Sequence, residues 1–156
     1  MVKTKNKYLY RGNTFYHIYN RGNNKRLIFY EINDYERLVK RVLEYEKEYD
    51  LIVYAYCLMP NHYHLLVKLG DDRSAVSKYM QRLMTAYVMY FNKKYQNIGR
   101  LFQGPFKASR LNKTEDILRV LQYLENNPVE AGLSKVPSDY RWLYVSFNQE
   151  KRINRR

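Results

Sequence analysis

The sequence predicts an α+β fold, a ferredoxin-like mixed or antiparallel sheet with helices packed mainly on one face. Three observations carry that expectation. Short runs with the period-two character of strands alternate with longer runs of helical period, in the order strand, helix, two strands, helix, strand, helix. The length of 156 residues suits one domain, and 46% hydrophobic residues supply a core for it. Neither an internal repeat nor a linker divides the chain, so a single domain is expected over residues 1–147, followed by a basic, flexible C-terminal tail over 148–156.

The elements follow in order. Thr14 to Tyr19 alternates aromatic and other residues and reads as a strand ending at Arg21-Gly22. Asn33 or Asp34 can cap a helix whose stripe is Tyr35, Leu38, Val39, Val42, Tyr45 and Tyr49. Leu51 to Met59 and His62 to Leu69 are strand-like runs on either side of Pro60-Asn61, a turn dipeptide, and predict an antiparallel hairpin. Ser74 to Tyr95 is a long helix with Val76, Tyr79, Met80, Leu83, Tyr87, Tyr90 and Phe91 on its apolar face and Asn97 and Gly99 as its stop. Arg100 to Leu111 reads as extended, and Gly104-Pro105 marks it as an edge or bulged strand. Thr114 caps a last helix with Glu115 and Asp116 in its first turn, and Pro128 is expected to end it.

Charge narrows the partners. There are 28 Lys and Arg against 15 Asp and Glu, a net +13. Residues 1–30 hold seven basic residues and no acid, and residues 73–114 hold nine and no acid, whereas seven of the acids fall between residues 31 and 50. The pattern predicts one basic face, suited to a polyanion. The lone Cys57 excludes an intramolecular disulfide and an all-cysteine zinc site and points to a reducing, cytoplasmic compartment. No apolar run approaches the ~20 residues of a membrane span, no secretory signal is expected, and no glycine loop of the nucleotide-binding kind is present.

His62 and His64 stand at i and i+2 on a strand, so both side chains leave the same face with Cα atoms roughly 7 Å apart. Such a pair can share a metal ion, or can be two strand histidines bonded to neighbours. A third ligand is required, and an amide or carboxylate oxygen serves a hard divalent cation. On the last helix Tyr123 and Asn127 lie one turn apart on one stripe, with Arg119 one turn back, while Ile117, Leu121 and Leu124 face elsewhere. Tyr123 is thereby presented rather than packed, although it is one tyrosine of 18, and Asn127 reads equally well as a helix cap.

The runs Leu58-Met59-Pro60-Asn61-His62-Tyr63-His64-Leu65-Leu66 and Tyr123-Leu124-Glu125-Asn126-Asn127-Pro128-Val129-Glu130-Ala131-Gly132-Leu133 resemble the single-tyrosine HUH transposases, in the REP-associated tyrosine transposase (IS200-like) branch. Tyr16 to Gly22, Ile28-Phe29 and Gly99 to Gly104 look like the same branch, so the likeness covers roughly residues 14–146. The resemblance implies the HUH nuclease fold, His62, His64 and Asn127 as ligands of Mg2+ or Mn2+, and Tyr123 as the nucleophile. It also implies a single-stranded DNA transposase or endonuclease that cuts and rejoins near hairpins of palindromic sequence through a 5′-phosphotyrosine.

Arg21, Arg100, Lys107, Arg110 and Arg119 are the expected phosphate contacts, and Phe102 and Phe106 are either base-stacking surfaces or sheet core. No membrane partner is expected, and monomer and homodimer both stay open. Two rivals remain at this level. A non-catalytic single-stranded RNA or DNA binder fits the same composition, and a metal-dependent nuclease would use water in place of Tyr123.

Overall fold

The hairpin that carries the two histidines lies inside a five-stranded antiparallel sheet. Residues 10–146 are described by a computed structural model; Lys3, Lys5, Lys7 and the tail expected at 148–156 lie outside them. Along the chain come β1 (Phe15–Arg21), α1 (Ile32–Glu46), β2 (Leu51–Met59), β3 (His62–Leu69), α2 (Ala75–Tyr95), β4 (Lys107–Leu111), α3 (Thr114–Glu130) and β5 (Leu143–Val145). The sheet order is β4-β1-β3-β2-β5. The strand bearing the histidines is therefore central, and β4, expected to be an edge from its Gly-Pro interruption, is one.

Helices α1 and α2 cover one face of the sheet and α3 covers the other. Toward α1 and α2 point Tyr16 and Ile18 of β1 and Tyr63, Leu65, Val67 and Leu69 of β3, forming the larger core with Leu38, Val42, Tyr79, Leu83, Tyr87 and Phe91. Toward α3 point Ala55, Cys57, Met59 and Leu66, which meet Ile117, Leu121 and Leu124. A β-bulge between Val53 and Ala55 makes this division possible. The inserted Tyr54 inverts the alternation of β2, so Val53 faces α1 and α2 while Ala55, Cys57 and Met59 face α3.

Several expectations are corrected in detail. Glu31, not Asn33 or Asp34, is the N-cap of α1. Asp34 sits three residues in, where its carboxylate accepts from the backbone N–H of Tyr30 and Glu31 at 2.8 and 3.1 Å. It is fully buried and also accepts from Tyr90, Tyr95 and Lys94. Burial pushes its acidity toward the neutral form, but the hydrogen bonds from Tyr95, the Tyr30 backbone, Lys94 and Tyr90 outweigh that and hold the carboxyl below its ordinary value. The helix α2 turns at Gln96, which takes the left-handed conformation at φ 50°, rather than at Asn97.

Pro128 does not end α3. The helix runs to Glu130, with Pro128 buried inside its last turn. The stop is Gly132 at φ 71°, with Gly132 N–H donating to the Val129 carbonyl and Leu133 N–H to the Pro128 carbonyl. A glycine that reaches the left-handed region without steric cost closes the helix four residues after the proline has removed a donor. Asn127 is accordingly a helical residue whose side chain is not a cap. Strand β5 has no counterpart in the sequence reading: three residues pair with Ala55, Tyr56 and Cys57 and complete the sheet beyond β2. Phe102 and Phe106 are partly buried and pack on the larger core, as the structural reading expects.

Candidate active site

Residues Pro60 and Asn61 make the tight turn that delivers His62 and His64 to the face of the sheet shared with α3. The turn is clamped from outside, since Ile28 N–H donates to the Pro60 carbonyl at 2.9 Å and Gly22 N–H to the Asn61 carbonyl at 2.8 Å. Gly22 has to be glycine for this clamp, because a Cβ there would stand 2.1 Å from the Arg26 carbonyl oxygen. Antiparallel register then sets Tyr19 beside His64 and Arg21 beside His62.

The α3 stripe arrives from the opposite side. Leu121 and Leu124 are buried against the sheet, and Tyr123 between them is half exposed at 50%. Its ring stands edge-on over His64, with centroids 5.3 Å apart at 89°. One turn on, the Asn127 amide nitrogen donates to the Tyr123 carbonyl at 3.1 Å. The Asn127 side chain also reaches the His62 imidazole, where its interaction favours the protonated ring. The four residues singled out from two motifs some sixty positions apart thus form one cluster.

Its electrostatics keep the imidazoles neutral. Burial lowers the His64 pKa to about 2, with help from the neighbouring His17 and His62. Burial also lowers His62, reinforced by Arg21 and opposed by the Asn127 contact. A neutral ring is the form that ligates metal. His62 Nδ1 lies 2.6 Å from the Asn61 side-chain oxygen and so is its donor, which leaves the lone pair on Nε2. His64 Nε2 is buried without a hydrogen-bond partner among the described residues. An orphaned ring nitrogen, a second ring with a lone pair to offer and an amide oxygen fit a cation's donor set. Among the described residues no group of three or more His, Cys, Asp or Glu could hold a metal.

The sequence reading passed over His17, whose Nε2 lies 2.9 Å from His64 Nδ1. Burial lowers its pKa to about 4. The available signal was that His17, on β1, is the remaining one of the chain's three histidines and sits in an alternation that ends beside the turn.

The expected phosphate contacts divide. Arg21 and Lys107 share the face of the histidines, since Lys107 pairs in register with Tyr19, and its ammonium lies 6.0 Å from the Tyr19 ring. Arg110 pairs with Tyr16 and leaves the opposite face. Arg119 is exposed on α3 and forms an ion pair with Asp116 at 3.6 Å. Arg100 is exposed in the loop before β4. Arg26, not singled out before, donates to Asn97 at 2.8 Å beside the clamped turn.

This geometry can be set against known proteins. The family described as "Transposase IS200 like" matches residues 11–127, which include both histidines, the tyrosine and the asparagine. The chain belongs to the IS200-like transposase family. A protein of Haemophilus influenzae provisionally named a REP-associated tyrosine transposase is 30% identical over 129 residues, covering 76% of this chain and 70% of that protein, and places the chain in that branch. Among solved structures, a REP-associated tyrosine transposase bound to a REP hairpin superposes with a TM-score of 0.73 at 17% identity, covering 99% of this chain and 87% of that one. A transposase-like protein from Deinococcus radiodurans gives 0.53 at 16% identity over 81% of this chain and 97% of that one. At these identities the two structures speak for the fold, which is that of the REP-associated transposase. No described helix is long and apolar enough to cross a membrane.

Proposed function

We propose that the protein is a single-stranded DNA transposase, cutting and rejoining strands next to hairpins by transesterification at Tyr123. The observation that carries this reading is the convergence of Tyr123 and Asn127 of α3 on His62 and His64 of β3. A protein that only bound nucleic acid would have no use for that convergence.

A tyrosine hydroxyl ionises near pH 10, so attack on phosphorus at neutral pH needs assistance. Mg2+ or Mn2+ held by His62 Nε2, His64 Nε2 and the Asn127 amide oxygen would neutralise and polarise a non-bridging phosphate oxygen. The chain's own residues do the rest. The Tyr123 oxygen attacks the scissile phosphorus, forming a tyrosine–phosphate ester on the 5′ side while the bond to the 3′ oxygen breaks. The phenolic proton ends on the departing 3′-hydroxyl, directly or through solvent. One phosphoester replaces another, so a later 3′-hydroxyl can reverse the step and rejoin strands without ATP. Arg21 and Lys107, on the same face, hold flanking phosphates, and Asn127 brings the Tyr123 turn of α3 up to His62 of β3. A stacked duplex would keep its backbone away from a side chain on a half-exposed helix, which favours a flexible single strand beside the hairpin. The structural relative is bound to a REP hairpin, which supports a hairpin as the partner of this chain.

The test is an end-labelled single-stranded hairpin substrate with Mn2+, resolved on a denaturing gel. A covalent protein–DNA species and a new free 3′ end are expected. Tyr123→Phe should abolish both and leave hairpin affinity within about threefold. Cutting by that variant would transfer the nucleophile to water.

A further inference from the structure

We infer that His17 is a positioning residue for the metal centre, accepting the Nδ1–H of His64 and so holding that ring in the tautomer whose Nε2 lone pair faces the cation. The inference rests on the metal reading above and deepens it. His17 stands on β1, diagonal to His64 across the β1–β3 ladder, on the face turned toward α3. The two rings lie nearly parallel, 26° apart with centroids at 5.1 Å, and the Nε2 to Nδ1 separation is 2.9 Å.

One proton lies between those nitrogens, and its owner decides what His64 can do. Were His17 the donor, the neutral His64 ring would carry its proton on Nε2, a buried atom without a hydrogen-bond partner among the described residues. A buried donor left unsatisfied is costly. With His64 as donor, Nε2 is a bare lone pair, the state a cation requires. The same bond also locks the ring's rotation and makes its free nitrogen more basic, as outer partners of metal-bound histidines do. Carbonyl or carboxylate groups ordinarily fill that role; here a second imidazole in the next strand takes it.

The metal-free protein with labelled histidines gives the first measurement. Long-range proton–nitrogen correlation at pH 7.5 should find His64 protonated at Nδ1, and protonation at Nε2 would overturn the inference without any substitution. The second measurement is Mn2+ affinity by electron paramagnetic resonance. His17→Phe keeps the ring and deletes the acceptor, and should raise the Mn2+ Kd about 10–100-fold. His17→Gln restores an acceptor and should return the Kd to within about fivefold of the parent. An unchanged Kd in His17→Phe, or equal losses in both variants, would show that the contact is packing alone. Failure of the parent protein to bind Mn2+ would instead overturn the metal reading, and is thereby told apart.

Discussion

Three neighbouring imidazoles, one buried and two partly buried, have a consequence for pH. His17 and His64 have folded pKa values of about 4 and about 2, below the ordinary 6.5, with burial the leading cause in both. The unfolded chain takes up protons below pH 6.5 that the native state refuses, so stability is full above that pH and declines as pH falls toward 4. Each ring contributes a slope of up to about 1.4 kcal/mol per pH unit across that window. Urea unfolding of the metal-free protein at pH 7.5, 5.5 and 4.5 should therefore show a falling midpoint, and the slope should shrink in His17→Gln. A midpoint unchanged down to pH 4.5 would mean that the rings protonate in place. The same neutrality bears on Asn127. Its oxygen is uncharged, so Asn127→Asp would add an anion to the donor set and should tighten Mn2+ binding while raising the His62 pKa, measurable by titration in the metal-free protein.

Helix α3 is a tether as well as a carrier, because Leu121 and Leu124 anchor it while Tyr123 projects between them. Leu121→Ala should cost about 2–4 kcal/mol in unfolding free energy. It should also lower cleavage more than hairpin affinity, since the helix bears the nucleophile. Gly22→Ala acts on the other support: its Cβ cannot fit against the Arg26 carbonyl, so the clamp on Pro60-Asn61 must open. The expected result is a loss of about 2–3 kcal/mol together with weaker Mn2+ binding, read by thermal unfolding and by titration. These supports differ in how far the sequence discloses them. The bounds of β2 and β3 were legible because a Pro-Asn turn separates two apolar runs, and the Tyr123 stripe because helical period sets it apart from Leu121 and Leu124. The bulge at Tyr54 was not, since a run of apolar and aromatic residues reads the same on either face until a partner strand fixes the register. Nor was β5, whose three residues are strand only because β2 offers them an edge. His17 stayed unread for a related reason: its significance is a cross-strand diagonal, and strand order is a property of the whole sheet. The Pro128 stop was misplaced because the local preference against proline yielded to burial and to Gly132 two residues after the helix.

Over the whole molecule, charge segregated in sequence is partly cancelled in space. The acids of α1 and its C-terminal loop meet the bases of α2: Lys94 pairs with Glu31 and Asp34, and Arg82 with Glu48. The nine basic residues of the second acid-free stretch are thus not all available to a phosphate backbone. Among the described residues, Arg21, Lys25, Arg26, Arg100 and Lys107 form no ion pair, and Arg21 and Arg26 are instead bonded to the neutral side chains of Gln103 and Asn97. They belong to β1, the clamped loop and the approach to β4, the part of the sheet next to His62. Part of the unpaired positive charge thus lies beside the candidate site, while Lys78 and Lys93 of α2 form no ion pair either. Salt dependence of binding separates the two surfaces, because each phosphate neutralised on a single strand contributes about −0.7 to the slope of log K against log salt. Lys107→Ala should reduce the slope by about that amount and weaken binding of a single-stranded hairpin substrate. Arg82→Ala removes a half-exposed pair worth at most about 1 kcal/mol and should leave the slope unchanged. Fluorescence anisotropy between 50 and 300 mM NaCl resolves the difference. An equal loss in both variants would mean that the strand crosses α2, on the side of the sheet away from Tyr123, and would detach binding from the site where the chemistry is proposed.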